Sequence, residues 1–331
     1  MTLNKVKHTK IFSLQTIFVG LATAIIVTAI YLKSGRYTLF ALNQTLIYSF
    51  CTMSISIMLG MGGMMTFASI SFFGLGAYIT ANLATGRLGV TVDTASILII
   101  APILSAIVGA IIGAPLLRLK GTYFTFATIG LVQVAYSFFN NYEPLFGGYN
   151  GISNIPSLKL AGYEISSRKE WFLVLVVAVI IGALVVERIR HTSLGRSLAA
   201  IRDNDTAAQT LGVDVYKTKV YAFSISAAFC AFGGALYAMV TRFAAADCFT
   251  YQNGIPFIVM AMLGGVNSTF GCVLGSILVG MLPEWLRILE KYMQLIYGVG
   301  VILLMIFMPM GLNGFREVLV KRIRHKQTKA S

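Results

Sequence analysis

Eight stretches of this 331-residue chain contain no Asp, Glu, Lys or Arg: residues 11–32, 37–86, 94–117, 121–142, 171–186, 220–241, 248–283 and 292–315. A helix needs roughly 20 apolar residues to cross a hydrocarbon core about 30 Å thick. Most of the stretches are one crossing long. The stretch 37–86 has room for two, and 248–283 for two short or broken ones. Stretch 171–186 reaches crossing length with Trp171 at one interface and the stem of Glu187 at the other. Only 11% of residues are charged and mean hydropathy is +0.79, whereas a water-soluble domain carries about 25% charged residues. A transmembrane β-barrel needs segments of about 10 residues with alternating polarity, but residues 174–186 are apolar on every face. The expected fold class is an all-α polytopic membrane protein.

Ten transmembrane or half-spanning segments are expected, at about 11–32, 38–60, 65–84, 94–117, 121–141, 171–187, 220–241, 254–264, 268–283 and 292–310. Together they form one transmembrane domain over 1–331. Lys5, Lys7 and Lys10 precede a 22-residue apolar run, longer than a signal-peptide core, so 11–32 reads as a retained first span. An even number of crossings puts both termini on one side. With that side cytoplasmic, three basic residues fall in the N-terminus 1–10 and two in 118–120. Six more fall in the loop 188–219 and six in the tail 311–331, out of 26 in the chain. The same pieces, with Glu187 at their border, hold five of the 12 acids. This is the positive-inside bias. It requires 248–283 to pass twice, broken around Gly264–Gly265, so that the basic tail returns to the cytoplasm. The net charge of +14 is therefore a topology signal and a contact with the lipid bilayer. Scattered over separate loops, it does not suit nucleic acid.

No ionisable residue lies well inside an expected span, which argues against an ion-coupled secondary transporter, although sodium sites built from backbone carbonyls need none. His8, His191 and His325 sit in basic flanking segments and form no catalytic constellation. The four cysteines, Cys51, Cys230, Cys248 and Cys272, have no metal-type spacing and read as small core hydrophobes. A phosphate loop needs Gly-Lys-Ser/Thr, and Gly-Lys never occurs. No cofactor, metal or catalytic residue is expected, and any ATP must be hydrolysed elsewhere. Gly109 and Gly113, and Gly271 and Gly275, recur four apart on one helix face, which permits close helix packing.

The most informative segment is 192–219, TSLGRSLAAIRDNDTAAQTLGVDVYKTK. Thr192 or Ser193 can cap a first short helix running to about Arg202, with Leu194, Leu198 and Ile201 on one face. Asn204 or Asp205 can cap a second from Thr206 to Leu211, ended by Gly212 in a left-handed conformation. Ala207 and Ala208 give it a small-residue face, flanked by Asp203, Asp205 and Gln209. Such a short capped helix suits docking into a groove on another protein; a merely solvated loop is the plainer reading.

The stretch SLGRSLAAIRDNDTAAQTLGVDVYKTKVYAFSISAAFCAFGGALYA resembles the coupling-loop region of the branched-chain amino acid ABC-transporter permease family, specifically its M-type membrane subunit. FFGLGAYIT (72–80), RLKGTYFTFATIG (118–130), FGGYNGI (146–152) and AMLGGVNSTFGCVLGSILVGMLPEWLR (261–287) resemble further motifs of that family. They occur in order and at compatible spacing from about residue 40 to 317. One stretch departs: where the family commonly reads Gly-Gln-Leu-Ser-Leu-Gly, this chain reads Gly63-Met64-Met65-Thr66-Phe67-Ala68. The departure bears on the solute more than on the architecture.

The resemblance implies a bacterial inner-membrane importer for branched-chain or related amino acids. Its partners would be a second permease subunit, two cytoplasmic ABC ATPase subunits and an extracytoplasmic solute-binding protein. It implies an ATPase-coupling loop carrying Gly195, Arg202, Asp205, Ala207, Ala208 and Gly212. Polar or small groups at helix breaks are the candidates for the translocation path: Thr66, Ser69, Ser71, Tyr78, Thr125 and Asn267. Each can equally be a satisfied interhelical hydrogen bond. The alternatives are the same architecture importing urea, short amides or another small polar solute, and a secondary transporter or channel.

Overall fold

The computed structural model describes residues 36–285, apart from 88, 90 and 161, together with 292, 295, 298 and 299. The terminal pieces 1–10 and 311–331, the first expected span and nearly all of the last lie outside the described residues. The other eight expected segments are all helices. They are α1 (Arg36–Ile55), α2 (Ser69–Thr85), α3 (Thr94–Leu116), α4 (Thr122–Asn141), α6 (Arg168–Arg190), α9 (Val215–Thr241), α10 (Tyr251–Gly264) and α11 (Thr269–Gly280). Short helices α5 (Glu143–Phe146), α7 (Ser193–Asp203), α8 (Asp205–Thr210) and α12 (Leu282–Trp285) complete the set. The described chain is thus a helical membrane protein, with five helices long and apolar enough to cross a bilayer.

The centre of the bundle is α1, which continues into a wider π-helical stretch, Ser56–Met61. Leu42, Ile47, Phe50, Met53 and Ile57 are all enclosed. A central helix in a dry interior must satisfy its polar atoms within the protein, and the hydroxyls of α1 do so. Ser49 bonds Ser276 of α11 (2.7 Å), Thr52 donates to the Cys272 carbonyl (3.3 Å), and Ser56 donates to the Val266 carbonyl (2.7 Å). Ser49, Thr52 and Ser56 recur at helical spacing and face α11 and the turn before it. Ser54 faces the other way, toward Ser69 of α2 and Ser226 of α9.

Close approach of backbones builds the rest. Where α2 crosses α9, a Cβ on Gly234 would overlap the Phe73 carbonyl, and one on Gly76 would overlap the backbone of Ala231. Gly109 and Gly113 of α3 lie against Ala227 and Phe223 of α9. The pair Gly271 and Gly275 lets α11 touch α10 at Gly264 and Met260. At 1.5 Å per residue, α10 and α11 are only about 21 Å and 18 Å long, too short for full crossings. They form an antiparallel hairpin whose turn is closed by Ser268 N–H donating to the Gly265 carbonyl (2.9 Å).

The outward faces differ in kind. Those of α3 (Ile99, Ile103, Ile107, Ile111) and α6 (Leu173, Val177, Ile181, Val185) present large apolar side chains over most of their length, as contact with lipid tails requires. The outward face of α4 carries Gly130, Gln133 and Ser137 beside Phe126 and Val134. At one end of the bundle lie α7 and α8, here termed the loop end. The opposite end is capped by β1 (Ile152–Ser153) paired with β4 (Phe243–Ala244), and by the hairpin β2 (Lys159–Leu160) and β3 (Tyr163–Glu164). Next to this cap, α6 starts on a capping box formed by Ser167 and Glu170.

Candidate functional site

The loop-end lever is built locally. Thr192 caps α7 by accepting from Gly195 N–H (3.5 Å), and Gly195 presses on the Arg190 and Ile189 carbonyls, where a side chain has no room. Asn204 caps α8 by accepting from the N–H groups of Thr206 and Ala207 (2.9 and 3.0 Å). Gly212 ends it at φ +83°, and Asp214 caps α9 by accepting from Lys217 N–H (3.0 Å). That bond and the Lys217 ammonium hold the Asp214 carboxyl below the usual aspartate range. Asp205 ties α8 to α9 through Lys219 (2.7 Å). Both short helices lie within a residue or two of the ranges expected from sequence, because caps and the Gly212 stop are local signals.

One expectation about this lever is corrected. Ala207 and Ala208 do not share a presented face. Ala208 is 1% exposed and packs with Ile201 and Val215 in a small core under the loop, while Ala207 faces out. The outward tip is Ala207, Gln209 and Leu211, with Leu211 81% exposed. A β-branched residue in the left-handed region costs about 1–2 kcal/mol. Gly212→Val is therefore expected to loosen the end of α8, so that limited proteolysis in membranes cuts between residues 203 and 214 several-fold faster at normal abundance.

Arg202, on the last turn of α7, reaches away from the tip. Its guanidinium donates to the Gly60 carbonyl at the end of the π-helical stretch (2.7 Å) and to Asn267 Oδ1 in the α10–α11 turn (3.1 Å). Arg190, at the end of α6, donates to the Asn267 carbonyl, to Ser56 Oγ (3.2 Å) and to Thr269 Oγ1 (3.4 Å). Glu187 lies 3.7 Å from Arg190 and accepts from Thr269 Oγ1 (3.0 Å). Asn267 is therefore gripped by two arginines, one on its side chain and one on its backbone.

Beside this cluster opens a cleft of about 650 Å³. The non-helical segment from Gly62 to Met65 forms one wall, Phe124 and Thr125 of α4 another, and Arg202, Asp203, Asp205 and Lys219 the mouth. Irregular backbone at such a place needs partners. Thr125 Oγ1 donates to the Met65 carbonyl (3.2 Å), Phe67 N–H donates to Thr128 Oγ1 (3.2 Å), and Ala68 N–H donates to Thr66 Oγ1 (3.1 Å).

Of the six path candidates, Thr125 lines this cleft. Thr66 and Ser69 are buried and hydrogen-bonded within the bundle. Asn267 belongs to the arginine cluster. Tyr78 is enclosed by the rings of Phe139, Phe146 and Phe249 at 4.9–5.7 Å, which separates it from the cleft wall. The hydroxyls of Tyr78 and Ser71 have no partner among the described residues. Gly60, Glu187 and Arg190 were not singled out from sequence. The available signal was Glu187 and Arg190 three apart at a membrane border, where a charge survives only if it is paired.

An apolar helical bundle with broken helices is a construction shared by membrane transporters. The family model described as branched-chain amino acid transport system / permease component matches residues 37–309, and the chain belongs to this family. It is 30% identical over 301 residues to the high-affinity branched-chain amino acid transport system permease protein LivM of Escherichia coli (strain K12), covering 84% of this chain and 70% of the relative. It is 25% identical to the probable branched-chain amino acid transport permease protein LivM of Methanocaldococcus jannaschii, covering 91% and 97%. A third relative is the high-affinity branched-chain amino acid transport system permease protein LivH of E. coli (strain K12), 23% identical over 86% and 93%. All three relatives are named as transport permeases. No solved structure matches the chain.

Proposed function

We propose that this chain is the membrane-spanning permease subunit of an ATP-driven importer, translocating branched-chain or related amino acids handed over by an extracytoplasmic binding protein. The observation that carries the reading is the folded α7–α8 lever, with an exposed apolar tip at Leu211 and a base fastened to both broken elements of the bundle. Two cytoplasmic ATPases dock at that tip, so the loop end is the cytoplasmic end. Ten segments span or half-span a bacterial inner membrane as one domain, with both termini inside. The coupling loop 188–219 carries Gly195, Arg202, Asp205, Ala207, Ala208 and Gly212, and Thr125 borders the inner mouth of the path.

A second, related permease completes the importer. Support comes from relatives named both LivM and LivH and from Gln133 and Ser137, polar groups turned outward on α4. Of the departing stretch Gly63 to Ala68, Gly63, Met64 and Met65 lie on the cleft wall, which keeps urea, short amides and other small polar solutes as alternative cargo for the same architecture.

The test is uptake into proteoliposomes by the complete complex, with the solutes retained by its binding protein as the panel. Uptake of branched-chain amino acids should require ATP, and the purified chain alone should hydrolyse none, because it lacks a phosphate loop. Uptake that proceeds without ATP, down a gradient, would remove the importer reading. On orientation, a cysteine at position 199 should react only with reagent on the cytoplasmic side, and one at position 162 only from outside. The opposite pattern would invert the topology.

A further inference from the structure

The structure assigns a transmission role to the cluster of Arg202, Asn267, Arg190 and Gly60: it is a clasp through which the lever moves the π-helical end of α1 and the α10–α11 turn as one unit. This rests on the reading of the chain as an ATP-driven permease and names the positioning residues that reading lacks.

The argument begins with what the lever can pull on. Its own core is small, made of Ile201, Ala208 and Val215 with Ala200 and Val213 against it, and that core binds α7 to α8 and α9. Toward α1 the lever has a different attachment. Leu198 packs near Gly62, and the aliphatic stem of Arg202 lies against Gly63, whose φ of +66° turns the chain sharply at that point. Beyond the stem, the Arg202 guanidinium bonds the Gly60 carbonyl and Asn267 Oδ1 together.

Gly60 is a strategic place to grip. A Cβ there would overlap the Val266 carbonyl, so the end of the π-helical stretch and the α10–α11 turn already touch backbone to backbone. Ser56, one turn earlier, also bonds Val266. A π-helical stretch is rare inside an α-helix and occurs frequently at functional sites. The carbonyl that Arg202 takes therefore lies in the π-helical end of the central helix.

Arg190 closes the clasp from the other side. It holds the Asn267 carbonyl, Ser56 and Thr269, and Glu187 braces both Arg190 and Thr269. Since α6 carries Arg190 and α7 carries Arg202, the bend between them at His191–Thr192, against which Gly195 packs, sets the spacing of the two arginines. Rotating the lever about that bend shifts Arg202 relative to Arg190. Asn267 and Gly60 must follow, or their charge-assisted bonds are broken, and bonds of this class are the strong ones. The segment from Gly62 to Met65 continues directly from Gly60 and walls the 650 Å³ cleft. Displacement of Gly60 thus changes the width of that cleft. No side chain of the clasp needs to touch the solute; these are positioning residues.

The experiment uses the complete importer in proteoliposomes and reads the amount of solute taken up per ATP hydrolysed. Asn267 is an exposed turn residue, so Asn267→Ala removes the acceptor of Arg202 without disturbing a core. Both Asn267→Ala and Arg202→Gln are expected to leave abundance and co-purification with the ATPases at the parent level. Hydrolysis should persist while uptake per ATP falls about tenfold, equivalent to about 1.4 kcal/mol. Asn267→Asp keeps an acceptor at the same place and should restore uptake per ATP to within about twofold of the parent. The double variant Arg202→Gln with Asn267→Ala should be no worse than Arg202→Gln alone, because the two residues act in one linkage. A merely structural role would lower hydrolysis, uptake and abundance together and leave the ratio untouched. An unchanged ratio in the single variants, or a double variant equal to the product of the two singles, overturns the clasp. If the parent complex itself shows no link between uptake and hydrolysis, the importer reading falls and takes the clasp with it.

Discussion

Ala208→Trp is expected to lower uptake by the complete importer at least tenfold while the chain still inserts at the parent level. Ala208 is 1% exposed, closed in by Ile201 and Val215. Overpacking a core typically costs about 1–3 kcal/mol, and a core of three buried side chains under a surface loop has little structure available to absorb an indole. The lever should therefore open, and limited proteolysis in membranes should cut between residues 203 and 214 far faster than in the parent. Ala207→Trp tests the neighbouring, exposed position. There the lever should stay protease-resistant, and co-purification of the ATPases should weaken instead. Gln209→Ala, which only shortens an exposed side chain, should stay near the parent in both assays. An unaltered cleavage pattern for Ala208→Trp would show that the buried packing under the loop is not what holds it in shape.

Gly234→Val should have the largest effect on the fold itself. The α2–α9 crossing brings Gly234 onto the Phe73 carbonyl and Gly76 onto Ala231, so two backbones meet with no side chain between them. A valine there overlaps a carbonyl oxygen instead of the flexible end of a side chain. The cost should therefore exceed the upper end of the ~1–3 kcal/mol range for ordinary overpacking. Marginal stability of about 5–15 kcal/mol leaves little reserve for such a loss. The expected result is a severalfold or greater fall in chain that elutes as a single species in mild detergent. Gly130→Val on α4, where nothing lies within 4 Å of the added atom, should fold normally. A monodisperse Gly234→Val chain at parent abundance would mean that the two helices can part without penalty.

Much of the architecture was legible in the chain because bilayers impose a one-dimensional rule. Length and charge exclusion placed eight of the ten expected segments on helices whose ends differ from expectation by a few residues. The break near Gly264–Gly265 was readable because the half-spanning pair needed a glycine turn to return the basic tail. Caps at Thr192 and Asn204 and the stop at Gly212 were readable for the same reason: each is decided by residues within four positions. The π-helical end of α1 left no such mark. Gly60 and Ser56 look like ordinary residues of an apolar run, and only contact with Val266, distant in sequence, gives them a role.

Hydropathy, charge and capping, which are local quantities, determined that the chain is a helical membrane protein, where eight of its helices lie, and that a capped two-helix loop interrupts them. The family was legible in the order of its motifs. The tertiary structure decided which polar residues do what. Composition alone gives Ala207 and Ala208 the same small-residue reading, but the packing of α8 on Ile201 and Val215 buries Ala208 and presents Ala207. Thr66, Ser69, Tyr78, Thr125 and Asn267 all read as polar groups near helix breaks, yet Thr125 lines the cleft, Thr66 and Ser69 satisfy interior atoms, Tyr78 sits among aromatic rings, and Asn267 joins the arginine cluster. The role of Arg202 depends on acceptors 142 and 65 residues away along the chain. Hydrogen bonds over such separations follow from how the helices cross, and no local pattern encodes them.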